Sequence, residues 1–263
     1  MKQIESKDNA TFKQALRIAQ GRKVGHPPLL WLEGVHLAQA WLAAGFAIQT
    51  AFFDHSRLLE QAELQAIAAQ LPESQCVGLS TALMRQLSQV EQGQGVGLLV
   101  QAPQYDDDVH IDQNCIYLDR IQDPGNVGTL LRTMAAAGIK QAYLSPGCAW
   151  AWSQKVLRSA QGAHFAIQIH EQVPAAAFIQ RLKVPLYATA LEQAVSLYAV
   201  PFTSQVAWVF GNEGQGVAPA LLEAAAQRVF IPQEQQVESL NVAAAAAVCL
   251  FEQRRQVLVN TLI

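Results

Sequence analysis

Strand-length apolar runs alternate with helix-length amphipathic segments along nearly the whole chain. That alternation restricts the fold to α/β layers built on a mostly parallel sheet. In the first part, residues 11–20 read as a helix whose apolar side is Phe12, Leu16 and Ala19. Lys13 and Arg17, four apart, share another face. A strand (Leu29–Leu32), a helix (Val35–Ala44) and a strand (Ile48–Phe53) follow, then a helix (Leu58–Gln70), a strand (Cys76–Leu79), a helix (Thr81–Ser88) and a strand (Gly97–Gln101). From Pro103 to Asp112 the periodicity stops, and Asp106-Asp107-Asp108 marks a solvated linker. The alternation restarts with a strand at Cys115–Leu118 and a helix at Val127–Ala137, and closes with a helix of about fifteen residues from Leu240. The expected organisation is a small α/β domain over 1–103, a linker over 104–112 and a larger α/β domain over 113–263.

Composition sets the outer limits. Of 263 residues, 51% are apolar and 15% charged, enough for well-buried cores and too apolar for disorder. The charge-free run Val242–Phe251 is about half the length of a membrane span, and no secretory signal is visible. Cys76, Cys115, Cys148 and Cys249 are isolated, as expected of reduced thiols, and the six histidines show no metal-ligand spacing. A cytoplasmic, metal-free protein is expected. The net charge of −3 opposes a general nucleic-acid binder. Residues 1–28, however, hold Lys2, Lys7, Lys13, Arg17, Arg22 and Lys23 against Glu5 and Asp8, so any such contact is local.

Three polar, Gly-rich segments follow expected strands, at the sheet edge where open α/β folds bind ligands. The first is Asp123-Pro-Gly-Asn126-Val-Gly-Thr-Leu-Leu-Arg132, where Asn126 reads as a helix N-cap and Arg132 falls near the second turn. The second, Phe210-Gly-Asn-Glu213-Gly-Gln-Gly216, packs three glycines into six residues, yet it is neither a dinucleotide fingerprint nor a P-loop. The third runs from Ile231-Pro232 to Ser239-Leu240-Asn241, with Ser239 or Glu238 as candidate cap of the last helix. Either of the first two alone reads equally well as an ordinary turn, and the third alone reads better as an ordinary loop and helix cap.

Taken in order and spacing, the three resemble the three motifs of the SpoU (TrmH) family of RNA 2′-O-ribose methyltransferases, in the SPOUT superfamily. The resemblance covers Leu118–Gly138, Val209–Val217 and Ile231–Phe251. The segment 155–163 is similar to a further family segment, and Leu32-Glu33-Gly34-x-His36-Leu37 resembles the start of the family's small substrate-binding domain. Departures are Gln233 and Gln235 where Met and Gly are usual, Ala243 where a small polar residue is common, and Ala160 where Ser is frequent.

The resemblance implies a C-terminal domain with a trefoil knot, S-adenosylmethionine as cofactor, a homodimer, and a structured RNA substrate, ribosomal ahead of transfer RNA. It implies that Gly211, Ile231 and Leu240 contact the cofactor through main-chain atoms while Ser239 and Asn241 organise the loop. Arg132 would be the catalytic residue, with Asn126 and Glu213 in support. RNA contacts are expected from Lys13, Arg17, Arg22 and Lys23 in the first domain and Arg158 in the second. Alternatives are a non-catalytic RNA-binding or ribosome-assembly factor and a knotted base methyltransferase. A nucleotide-dependent oxidoreductase is disfavoured, because the fingerprint is missing.

Overall fold

The chain divides into two compact units, Met1–Gln104 and Tyr105–Ile263, each built around its own sheet. The computed structural model describes every residue except 91–92, 107–108, 203–204, 235, 237–238 and 262–263. Asp107, Asp108, Gln235 and Glu238, singled out in the sequence, lie outside the described residues.

The first unit runs β1 (Lys2–Ile4), α1 (Ala10–Ala19), β2 (Leu29–Glu33), α2 (Val35–Ala43), β3 (Thr50–Asp54), α3 (His55–Glu60), α4 (Ala62–Ala68), β4 (Cys76–Leu79), α5 (Thr81–Leu87) and β5 (Val96–Gln101). The strand order is β1-β4-β3-β5-β2, with β5 antiparallel to both β3 and β2 and the other pairs parallel. Phe12, Ala15 and Ile18 of α1 pack on Trp31, Phe52 and Leu99 of the sheet. The helix expected over 58–70 is two helices broken at Gln61, whose backbone is extended. Asp54 starts the first of them three residues early by accepting from the Ser56 and Arg57 amides.

The second unit runs β6 (Cys115–Asp119), α6 (Pro124–Ala136), β7 (Gln141–Leu144), α7 (Gln154–Ala160), β8 (Gln168–His170), α8 (Ala175–Arg181), β9 (Leu186–Thr189), β10 (Val195–Ser196), β11 (Ala207–Gly211), α9 (Pro219–Ala224), β12 (Gln227–Phe230) and α10 (Val242–Thr261). All of its strand pairs are parallel, in the order β10-β12-β9-β11-β6-β7-β8. Such sheets bury both faces. Cys115, Tyr117, Ala207 and Val209 pack with Phe178 of α8 and Leu221 of α9. On the alternate face Trp208 donates from Nε1 to Gln253 Oε1 of α10 at 2.8 Å. Within the stretch 104–112, Tyr105 donates to the Ile167 carbonyl and Ile111 bridges to Leu182.

β6 and β11 lie side by side at the centre, with Asp119 paired to Gly211. The sheet grows from β6 towards β7 in one direction and from β11 towards β9 in the other. The loops leaving these two strands therefore diverge and open a crevice at the C-terminal edge.

Candidate active site

The loop after β6 leads into α6, whose N-cap is Asp123 and not Asn126. Asp123 Oδ1 accepts from the Asn126 amide at 2.8 Å, and Pro124 occupies the first helical turn, where its missing N–H costs nothing. Capping three residues earlier shifts Arg132 into the third turn and releases the Asn126 carboxamide for other partners. The last helix is corrected in the same way: it spans twenty residues, and Asn241 caps it, its Oδ1 accepting from the Ala243 and Ala244 amides. Ser239 stands upstream as part of the loop.

The loop after β11 is closed on itself. Asn212 and Gly216 exchange backbone hydrogen bonds, and Asn212 Oδ1 accepts from the Gly214 and Gln215 amides at 3.0 and 2.9 Å. A side chain at Gly211 would run into the Gly216 and Val217 backbone, and Gly216 has φ +68°. Gly211 and Gly216 thus answer to a backbone folded back on its own strand.

One carboxamide ties the three loops together. Asn126 Nδ2 donates to Glu213 Oε1 at 2.9 Å, and Asn241 Nδ2 donates to Asn126 Oδ1 at 3.0 Å. A residue from each segment singled out in the sequence meets here. The glycine two residues on, Gly128, serves packing instead: a Cβ there would meet Ser159 Oγ and, at 2.7 Å, the Val156 carbonyl of α7.

Beside this junction lies a cleft of about 620 Å³. Gly211, Glu213, Ile231, Ser239, Leu240 and Asn241 all line it, together with Thr189 at the end of β9 and Leu191 and Glu192 from the loop that follows. Arg132 lies on the exposed side of α6 and, among the described residues, makes no hydrogen bond or ion pair. Arg158 is exposed on α7. In the first unit Lys13 and Arg17 are exposed on α1, with Lys13 paired to Asp8 at 2.7 Å, and Arg22 and Lys23 are exposed just beyond.

Asp119 and Arg120 were not singled out in the sequence. Asp119 is 3% exposed and accepts from the Ala218 amide, while Arg120, at φ 57°, reaches across to Gln215 and Gly216. Their signal was an Asp-Arg pair directly after an apolar strand. Among the described residues no group of three His, Cys, Asp or Glu is placed to hold a metal ion, and no helix is long and apolar enough to cross a membrane.

The SpoU rRNA Methylase family model matches residues 113–251. The 23S rRNA (guanosine(2553)-2′-O)-methyltransferase RlmP of Bacillus subtilis is 32% identical over 259 residues, spanning 97% of this chain and 100% of the relative. An rRNA methyltransferase from Sinorhizobium meliloti superposes with a TM-score of 0.84 at 26% identity, covering 97% of each chain. Its AdoMet-bound form gives 0.82, at the same identity and coverage. From residues 113–251, and from end-to-end likeness to an rRNA 2′-O-methyltransferase, the chain belongs to the SpoU rRNA methylase family.

Proposed function

We propose that this chain transfers a methyl group from S-adenosylmethionine to a ribose 2′-hydroxyl of ribosomal RNA. The observation that carries this reading is the junction of Asn126, Glu213 and Asn241 beside the 620 Å³ cleft. The cleft has the size and the mixed lining of a cofactor site. Leu191, Val217, Ile231 and Leu240 offer apolar surface for a purine, and the glycine-rich backbone offers close-lying amides and carbonyls. These residues fit S-adenosylmethionine, with Gly211, Ile231 and Leu240 as main-chain contacts and Ser239 and Asn241 shaping the loop. The knotted chain path implied by the family resemblance belongs to this proposal.

When bound, S-adenosylmethionine supplies a methyl group on a positively charged sulfur. The chain itself must hold the 2′-oxygen in line with that methyl and stabilise the charge that grows on the oxygen as its proton passes to solvent water. Arg132 suits the second of these roles. Its guanidinium stays charged, so it acts as an electrostatic clamp on the 2′-oxygen and the adjoining phosphate and not as a base. Being exposed and without partners among the described residues, it is free to meet RNA from solvent. Asn126, fixed between Glu213 and Asn241, anchors the start of the helix that carries Arg132.

RNA is held by phosphate and 2′-hydroxyl contacts from Lys13, Arg17, Arg22, Lys23 and Arg158. The protein works as a cytoplasmic homodimer, with the site completed at the partner. Phe251, Val257 and Leu258 of α10, between 41% and 51% exposed, supply apolar surface for that contact.

The test is Arg132→Ala. Methyl transfer is expected to fall by about 10²-fold or more, the size of effect seen when a transition-state donor is removed. S-adenosylmethionine affinity is expected to change little. Near-normal turnover in this variant would remove Arg132 from the mechanism.

A further inference from the structure

Arg120 holds a conformation that an arginine rarely adopts. At φ 57° it lies in the left-handed region, where a non-glycine residue carries a cost of about 1 kcal/mol. Such a backbone persists when surrounding contacts over-determine it. The contacts here run in two directions. Towards its own strand, Nε and Nη2 grip the two oxygens of Asp119, each at 3.0 Å. Its backbone amide donates to Ser145 Oγ at 2.8 Å. Across the crevice, Nη1 donates to Gln215 Oε1 and Nη2 to the Gly216 carbonyl, while its own carbonyl accepts from Asn212 Nδ2 at 2.8 Å.

Asp119 completes the clamp. Nearly buried, it receives the guanidinium as a two-point partner and the Ala218 amide at 2.8 Å. The pair therefore fixes the loop after β11 at Asn212 on one side, at Gln215 and Gly216 in the middle, and at Ala218 on the other. Six consecutive loop residues, Asn212, Glu213, Gly214, Gln215, Gly216 and Val217, form part of the cleft wall. None of the contacts that close the loop on itself reaches β6.

We propose that Arg120 is a positioning residue for the cofactor cleft: together with Asp119 it sets the 212–218 loop in its binding-competent shape before the cofactor arrives. This role rests on the cleft being the S-adenosylmethionine site. Without the guanidinium the loop samples other shapes, and cofactor affinity drops by the fraction of time it spends in them. The chemical step, once the cofactor is seated, depends on Arg120 much less.

Arg120→Gly is the suitable variant, since glycine accepts the positive φ and only the side chain is lost. Titration of S-adenosylmethionine and of S-adenosylhomocysteine into the full chain is expected to show affinity for both falling about tenfold. Turnover at saturating cofactor should fall by less than about threefold, and Arg120→Lys should recover part of the affinity. Gln215→Ala, which leaves Asp119 paired, should give a smaller loss in the same direction. Hydrogen exchange in the ligand-free chain gives a readout independent of the cofactor, with amides of 212–218 exchanging faster in Arg120→Gly. Unchanged exchange in that loop overturns the proposal, as does a lower thermal midpoint with unchanged affinity. If the unaltered chain binds neither ligand while the exchange effect is present, the cofactor reading fails and the positioning of the loop by Arg120 stands.

Discussion

At the scale of single residues, the site turns on one carboxamide, that of Asn126, which donates to Glu213 and accepts from Asn241. Asn126, Glu213 and Asn241 stand out as polar residues in Gly-rich segments after strands, yet nothing local says that one carboxamide joins the other two. Asp123 and Asn126 are both good caps, and Pro124 decides between them, because proline fits the first helical turn. Arg120 was illegible for another reason: a positive φ on arginine follows from long-range contacts. A different residue makes the sharpest prediction here. His164 is fully buried, with Nε2 bonded to the Ala151 carbonyl at 2.7 Å and Nδ1 without a partner among the described residues. Burial pushes its pKa from 6.5 down to about 4, against the opposing pull of that carbonyl. The folded chain therefore keeps His164 neutral where the unfolded chain takes up a proton, so stability falls as pH drops from about 6.5 towards about 4. At roughly 1.4 kcal/mol per pH unit the loss approaches ~3 kcal/mol. Urea titrations at pH 7 and pH 4.5 should show a difference that shrinks by ~2 kcal/mol or more in His164→Phe. An equal pH response in both proteins would contradict the assignment.

At the scale of elements, long periodic segments were legible and their ends were less so. The alternation of apolar runs revealed a central strand of the second unit at Cys115–Leu118, one residue short of its end, because strands buried on both faces are continuous apolar stretches. The strands Lys2–Ile4 and Val195–Ser196 were missed, since two or three residues carry no period. The break at Gln61 has no glycine or proline to announce it. Element packing also explains one motif residue. Gly128 lets α6 approach α7, and a methyl group there meets the Val156 carbonyl, which is backbone and cannot swing aside. Gly128→Ala gains up to about 1 kcal/mol in helix propensity and loses about 1–3 kcal/mol to overpacking, so a net destabilisation of about 1–2 kcal/mol is expected. Ser159→Ala should relieve only part of it, because the carbonyl remains. Chemical denaturation of the single and double variants checks both statements; a stabilised Gly128→Ala would show that the helices have room.

At the scale of the whole molecule, the α/β class with mostly parallel sheets was visible in the alternation, while the antiparallel pairing of Val96–Gln101 in the first unit was not. Strand direction is fixed by connections and packing, not by composition. Net charge does not decide function here: −3 overall coexists with exposed Lys13, Arg17, Arg22 and Lys23 in one short region, the groups proposed above to meet RNA phosphates. The family membership, the cleft and the joined loops point to one reaction on one atom of the ribose. The most direct test incubates the full chain with methyl-labelled S-adenosylmethionine and ribosomal RNA, then digests the RNA to nucleosides. Label is expected in a 2′-O-methylnucleoside and is expected to be lost with Arg132→Ala; label on a base, or RNA binding with no transfer at all, would contradict the proposed reaction.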